Sequence, residues 1–277
     1  MSEIKISVII STYNSEVWLQ KVLWGYQNQQ FKDFEMVIAD DGSGPATKEL
    51  LEQMKTEVFY PIKHVWQEDD GFQKSKILNK AILVCDALYI VMSDGDCIPR
   101  PDFLEIHYTT KREGHFLSGG YFKLPMETSK KINKEDIFAG RCFDPEWLKE
   151  NGVPSTFKLN KLTKSKRKAS MLNFITPTKT TWNGNNSSGW KKDIVAVNGF
   201  DERMQYGGQD REMGARMVNN GVKPIQIRYS STCVHLDHAR GYKNKETLAR
   251  NKAIRKATKE KRAVWTPYGI VKKKLIR

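Results

Sequence analysis

Apolar positions in the first 112 residues alternate between two periods. Residues 5–10 (KISVII) are nearly continuous apolar sequence and predict a buried strand, ended by Ser11-Thr12-Tyr13-Asn14. Residues 15–29 predict a helix with Trp18, Val22, Leu23 and Tyr26 on one face. A second strand, 34–39 (FEMVIA), stops at Asp40-Asp41-Gly42-Ser43-Gly44-Pro45. A helix over 46–55, a short strand over 62–66 and a helix over 73–84 follow, the last with Ile77, Leu78, Ala81 and Ile82 inward. The fourth strand, 87–92 (ALYIVM), ends at Ser93-Asp94-Gly95-Asp96, and Pro99 and Pro101 introduce a helix near 102–112.

Apolar strands joined by helical crossovers predict an α/β chain with a parallel sheet covered on both faces. Ligands of such sheets bind at the carboxyl ends of the strands. The polar clusters at 11–14, 40–44 and 93–97 all fall at those ends, so one pocket can gather them.

The second half is less regular. Residues 116–123 read as a strand, and 125–170 as helical pieces followed by a basic run, together a mobile excursion. Order returns at 182–200, with a helix over 209–220 and a strand over 224–228. His235-Leu236-Asp237-His238 follows a short strand-like piece. A very basic helix is expected over 244–262, with Leu248, Ala249, Ala253, Ile254 and Ala257 as a thin apolar face. The organisation read from this pattern is a domain over 1–240, halved at 115/116, and a basic helical extension over 241–277.

Composition adds limits. The 277 residues are 39% hydrophobic and 28% charged, which suits one large domain or two small ones. No apolar run approaches the roughly 18 residues that span a bilayer. Met1-Ser2-Glu3-Ile4-Lys5 does not resemble a signal peptide, so a cytoplasmic location is expected. Cys85, Cys97, Cys142 and Cys233 form no CxxC pair and read as reduced thiols. The net charge of +14 is concentrated in two segments. Residues 155–170 carry +6 with no acid, and residues 240–277 carry fourteen Lys or Arg against Glu246 and Glu260. The remaining body is mildly acidic. That pattern favours docking on an anionic surface, such as the inner face of a membrane or an anionic glycan. Trp265 to Lys274 mixes aromatic, aliphatic and lysine residues in a way that suits such an interface. Nucleic-acid binding is not expected, because basic and aromatic residues do not share one organised element.

Four clusters can carry chemistry. Asp94-x-Asp96, on a turn after a buried strand, can hold a hard divalent cation, and is equally an ordinary acidic turn. Asp40-Asp41-Gly42-Ser43 can accept from a uracil ring or ribose, or simply form a turn. His235 and His238 can complete a metal site or be structural. In Tyr206-Gly207-Gly208-Gln209-Asp210 the glycines permit close backbone approach, and Asp210 can be a general base or favour the helix dipole. His64 and His107 read as structural.

Taken in order, these segments resemble the family 2 inverting glycosyltransferases of the GT-A fold. The similarity rests on SVIISTYN (7–14), VIADDGSG (37–44), WQEDDGFQKSKILNKAI (66–82), YIVMSDGDCIPRPDFL (89–104), NGNNSSGWKKDIVAVNGFDE (183–202), YGGQD (206–210) and HLDH (235–238). It is strongest to the branch whose carboxyl half resembles β-1,4-galactosyltransferases and the bacterial chondroitin polymerase. The resemblance implies a Rossmann-like mixed sheet with helices on both faces. It also implies a UDP-sugar donor, Mn²⁺ or Mg²⁺, and a glycan or lipid-linked acceptor in bacterial cell-surface polysaccharide synthesis. Thr12, Tyr13, Asp40 and Asp41 would bind uridine, with Lys76 and Asn79 near the nucleotide. Asp94 would contact ribose or metal, and Asp96 and His235 would ligate the metal. Asp210 would deprotonate the acceptor, and Asn186, Trp190, Tyr206, Gly207, Gly208 and Gln209 would shape the donor and acceptor subsites. Three positions depart from the family pattern: Gln209 stands where Glu is usual, Tyr206 where Trp is frequent, and Gly189 where an aromatic is common, which predicts a gap or a mobile loop. A nucleotidyltransferase should carry a glycine-rich basic loop after the first strand, which Thr12-Tyr13-Asn14 is not. A non-catalytic sugar-nucleotide-binding protein is the other alternative.

Overall fold

The computed structural model describes residues 3–239 and 244–272. Ten strands fall into two sheets: β1 (Ile6–Thr12), β2 (Phe34–Asp40), β3 (Ile62–Trp66), β4 (Tyr89–Asp94), β5 (Cys97–Pro99), β6 (His115–Ser118), β7 (Gly120–Lys123), β8 (Ser187–Trp190), β9 (Lys223–Gln226) and β10 (Thr232–His235). The seven-stranded sheet runs β3-β2-β1-β4-β8-β6-β9 and the three-stranded sheet β5-β10-β7. Strands β1 to β4 are parallel, whereas β8 lies antiparallel to β4 and to β6. The sheet is therefore mixed.

Alternation along each strand divides the core between two faces. Ile6, Val8, Ile10, Met36, Ile38 and Val91 face the helices Glu16–Gln27 and Pro45–Glu57. Ile9, Val37, Ala39, Ile90 and Met92 face the helices Lys74–Val84, Lys191–Ala196 and Gln209–Asn219. Burial on both faces explains why these strands read as unbroken apolar runs.

Three expectations change. The stretch 116–123 is two strands in different sheets, β6 and β7, divided at Gly119. A Cβ there would lie 2.1 Å from Asn186 Oδ1, so only glycine lets the chain cross. The stretch 125–170 is packed structure: Ile132, Ile137, Cys142, Phe143, Leu148, Val153 and Leu162 are buried in the first core. Gly189 leaves no gap, because a Cβ there would meet the buried Trp182 ring at 3.0 Å. All four cysteines are buried and unpaired.

The helix Lys245–Glu260 forms as expected, but its inward face is polar. Ala249, Ala253 and Ala257 are exposed, Leu248 is 40% exposed, and the buried residues are Asn251 and Thr258. Thr258 Oγ1 donates to Glu212 Oε1 at 2.8 Å, joining a buried ion pair in which Arg216 Nη2 lies 2.8 Å from Glu212 Oε2. The chain beyond it turns back over the loop 198–202. Asn198 Nδ2 donates to Thr266 O and Val271 O, and Arg203 lies 3.7 Å from the Tyr268 ring centre. Trp265 to Lys272, expected at an interface, is thus largely occupied with its own protein. Arg240, Lys243, Lys273, Lys274 and Arg277 lie outside the described residues.

His107 and Asn186 form a buried polar knot beneath the sheet junction. His107 Nδ1 lies 2.7 Å from Ser188 Oγ and Nε2 2.9 Å from Asn186 Oδ1, while Asn186 Nδ2 donates to Gly120 O and Ser231 O. Burial pushes the imidazole pKa down to about 4, below its ordinary 6.5. The unfolded chain therefore binds the extra proton first as pH falls. Unfolding free energy should be unaffected by His107 above about pH 6.5 and fall by about 3 kcal/mol between there and pH 4. Urea denaturation across that range should show this slope in the native chain and a flatter one in His107→Gln.

Candidate active site

Strand register levels the sheet ends that carry polar residues. Thr12 pairs with Asp40, Ser11 with Asp94, and Asp40 with Trp66, so the carboxyl ends of β1, β2 and β4 open at one height. Above them lies a cleft of about 690 Å³, whose lining includes Thr12, Tyr13, Trp18, Asp41, Phe72, Lys74, Asp94, Asp96, Tyr206, Gln209, His235 and His238.

The floor is built by the small sheet. Antiparallel pairing of β10 with β5 sets His235 opposite Cys97, and Leu236 N donates to Asp96 O at 2.8 Å. His238 Nε2 lies 3.0 Å and His235 Nε2 3.8 Å from the same Asp96 Oδ2. The two rings are stacked, 5.6 Å apart at 14°. His235 Nδ1 is 2.7 Å from Leu236 O and His238 Nδ1 2.8 Å from Ala239 O. A carbonyl only accepts, so each Nδ1 carries a proton and each ring turns its Nε2 toward Asp96.

One carboxylate oxygen and two imidazole nitrogens thus approach one another on the cleft floor. A divalent cation fits that donor set. Asp96, Cys97 and His235 also place their ligand atoms within 4.8 Å of one another. Burial raises the Cys97 pKa, however, and its Sγ donates to Asp96 Oδ1 at 3.2 Å, so the thiol stays protonated and supports the carboxylate. The set is one carboxylate oxygen and two imidazole nitrogens, which suits a transition metal such as Mn²⁺ better than the oxygen-seeking Mg²⁺.

Asp94, expected as a further ligand, is held differently. Its Oδ1 accepts from Lys74 Nζ at 2.5 Å and Ser11 Oγ at 2.9 Å, and it is not part of the cluster around Asp96. Lys74 is the cleft lysine. Lys76, expected near the nucleotide, is exposed and outside the cleft lining. Helical spacing explains the difference: 74, 77, 78, 81 and 82 share one face, whereas 76 points away.

Asp40 and Asp41 are separated by strand alternation. Asp40 is fully buried, accepts from Ser43 N at 2.8 Å and lies 2.8 Å from His64 Nε2. Burial alone would raise its pKa, but the bonds from His64 and Ser43 hold it below the usual carboxylate range. Asp41 faces the cleft, where burial raises its pKa to about 6 despite bonds from Gln67 Nε2 and Gln73 N. Beside it, Thr12 Oγ1 is buried and finds no partner among the described residues, as a ligand-facing hydroxyl would. Tyr13 stands half-exposed at the rim with its hydroxyl on Asp69.

The opposite wall is formed by Tyr206 and by Gln209 at the start of the helix Gln209–Asn219; Asp210, one residue on, is not among the residues that line the cleft. Gly207 and Gly208 have φ of 114° and 86°, values that exclude most side chains. Gln209 Oε1 closes this turn by accepting from Gly207 N, and Tyr206 meets Phe72 edge-on. Asp210 accepts from Gly184 N at 3.1 Å and Arg211 N at 2.8 Å, and burial raises its pKa. Other expected residues are structural. Asn79 joins the helix Lys74–Val84 to Phe200 and Glu202, and Asn186 belongs to the knot with His107. Trp190 pairs with Tyr89 at the far end of β4 and donates to Arg112 O.

A central mixed sheet with helices on both faces is the fold of the GT-A transferases. Residues 7–168 match Glycosyl transferase family 2, and the chain belongs to that family. It is 25% identical over 224 residues to the chondroitin synthase of Escherichia coli, covering 78% of this chain and 32% of that one. It is 23% identical over 252 residues to the validoxylamine A glucosyltransferase of Streptomyces hygroscopicus subsp. jinggangensis, covering 85% of this chain and 56% of that one. The chain thus spans about a third to just over half the length of these relatives. The crystal structure of GalNAc-T7 with UDP, GalNAc and Mn²⁺ superposes with a TM-score of 0.60 at 13% identity, over 91% of this chain and 47% of that one, and shares the fold.

The loop 205–208 is held from behind by Asn251, whose Nδ2 donates to Gln205 O, Tyr206 O and Gly207 O at 3.0–3.2 Å. Asn251→Leu should cost about 1–3 kcal/mol by stranding those carbonyls. Ala253→Leu, on the exposed side, should stay within about 0.5 kcal/mol of the native chain. Thermal and urea unfolding of the two variants distinguishes the polar docking face from the apolar one expected from sequence.

Proposed function

We propose that this chain is a metal-dependent inverting glycosyltransferase that moves a hexose or N-acetylhexosamine from a UDP-sugar to a glycan or lipid-linked acceptor. The observation that carries the reading is the convergence of Asp96, His235 and His238 on one point of the cleft floor. Thr12, Tyr13 and Asp41 line the same cleft and suit a uridine. Lys74 offers a fixed positive charge to the diphosphate. A cation held by Asp96, His235 and His238 would neutralise charge on the departing diphosphate. The crystallised GalNAc-T7 complex, which holds UDP and Mn²⁺, supports the same reading.

Asp210 is the proposed general base. Its buried carboxyl sits above the usual carboxylate range, which moves it toward the pH at which a base works well. The amides of Gly184 and Arg211 aim it, and Gln209, which cannot act as a base, serves the glycine turn instead. One displacement at the anomeric carbon, with the acceptor proton going to Asp210, inverts configuration. Asp210→Asn should keep UDP affinity and lower turnover about 10²–10⁴-fold, whereas Asp96→Asn should abolish Mn²⁺-dependent UDP binding. UDP release from a panel of UDP-sugars with and without Mn²⁺ reads both. Full activity in Asp210→Asn would remove that assignment. UDP binding without turnover of any UDP-sugar would favour a non-catalytic sugar-nucleotide-binding protein, and pyrophosphate release from nucleoside triphosphates a nucleotidyltransferase.

Peripheral contact with the cytoplasmic face of an anionic membrane, where lipid-linked acceptors of cell-surface polysaccharides reside, completes the reading. Among the described residues, no helix is long and apolar enough to cross a membrane. The helix Lys166–Ile175 nevertheless exposes Met171, Phe174 and Ile175, with Phe174 91% exposed, beside Lys166, Arg167 and Lys168. Phe174→Ser should weaken flotation with anionic liposomes at low salt, and equal flotation would exclude this helix from the contact.

A further inference from the structure

A second, smaller cleft of about 130 Å³ lies beside the start of the helix Gln209–Asn219. Its walls carry Lys161, Lys179, Arg211 and Arg228, together with the hydroxyls of Thr178, Thr180 and Thr181, and its lining contains no acidic side chain. Among the described residues, none of these four cations makes a salt bridge, although Arg211 feels the neighbouring Asp210 carboxylate.

The cations are built in rather than loosely scattered. Arg228 is partly buried and donates from Nη1 to Thr178 Oγ1 at 3.2 Å. Lys161 is anchored by a bond from Nζ to Tyr121 O at 2.9 Å and lies 5.2 Å from the Tyr121 ring centre. Burial, then the charges of Arg228 and Lys158, lower its pKa to about 8. Like charges crowded in one lining are stabilised by whatever anion enters between them.

The position ties this cleft to the first. Arg211 follows Asp210, and the lining residue Asn183 precedes Gly184, whose amide holds Asp210. Tyr121, in the wall of the second cleft, packs 5.7 Å from the His235 ring. The volume suits a single oxyanion and is too small for a sugar nucleotide.

We infer that this cleft is an oxyanion subsite for the acceptor, taking a phosphate or sugar carboxylate while the neighbouring hydroxyl is presented to Asp210. The assignment to the acceptor rests on the proposed transfer reaction, but the anion binding itself does not. Arginine and lysine bind phosphate and carboxylate through the same charge-assisted hydrogen bonds, and the source is left to experiment.

The test uses the full chain without metal or nucleotide. Amide spectra are titrated with inorganic phosphate, with sodium glucuronate, and with sodium chloride as an ionic-strength control. Saturable shifts around 118–121, 178–183 and 226–228 with phosphate or glucuronate, absent with chloride, are expected, and the stronger probe names the anion class. Arg228→Gln should weaken that binding about tenfold or more. Lys179→Glu, at an exposed position that a folded chain tolerates, should do the same if Arg228→Gln fails to fold. Both variants should bind UDP with Mn²⁺ as the native chain does. Shifts that match chloride, or unchanged phosphate and glucuronate affinity in Lys179→Glu, overturn the subsite. Loss of UDP binding in the native chain would instead overturn the donor reading and leave the anion result standing.

Discussion

One carboxylate, Asp96, approached by two imidazole nitrogens is the constraint around which the site is organised. Asp96 lies in the turn between β4 and β5, whereas His235 ends β10 and His238 lies three residues beyond it. Nothing local brings these groups together. Pairing of β10 with β5 and β7 does so, and the junction of the two sheets needs Gly119, Asn186 and His107 in a closed hydrogen-bonded knot. The buried residues that look least chemical are therefore those that fix the spacing of the chemical ones. Such a knot is costly to leave half-satisfied, which ties the geometry of the floor to the stability of the fold.

The opposite wall depends on a different device. Two left-handed glycines make the loop 205–208 adaptable, and adaptable backbone does not hold an acid in register. Asn251 and Thr258 of the C-terminal helix supply the missing constraint, the first on three loop carbonyls and the second on the Glu212–Arg216 pair of the helix that Asp210 starts. The basic segment thus presents its lysines to solvent and its few neutral polar residues to the domain. Positive charge and structural docking occupy opposite sides of one helix.

Two clefts flank the segment Gln209–Arg211, Gln209 lining the first and Arg211 the second. To one side is the cleft of acids, histidines and Lys74, and to the other the compact cationic cleft with Arg228 and Lys161. The signs suit a donor whose diphosphate is met through a cation and an acceptor whose anionic group is met directly. A mildly acidic body with confined basic regions keeps the two from neutralising each other.

What the sequence determined by itself was the α/β layering, the end of each parallel strand and the polar residues waiting there. Period-two and period-3.6 burial are local consequences of backbone geometry, so strands β1 to β4 and their helices were legible from apolar spacing alone. Lys74 shares the face of Ile77 and Leu78, so helical spacing points to it rather than to Lys76. Tertiary structure decided which of each candidate pair faces the cleft. Asp41 does and Asp40 does not, because successive strand-end residues point opposite ways and His64 claims the buried one. Asn79, Asn186 and Trp190 carry the same polar groups as site residues, yet their partners are far apart in sequence and consume them. The split of 116–123 into two sheets, the polar face of the last helix and the cationic cleft all arise from contacts between distant segments, which no local periodicity encodes.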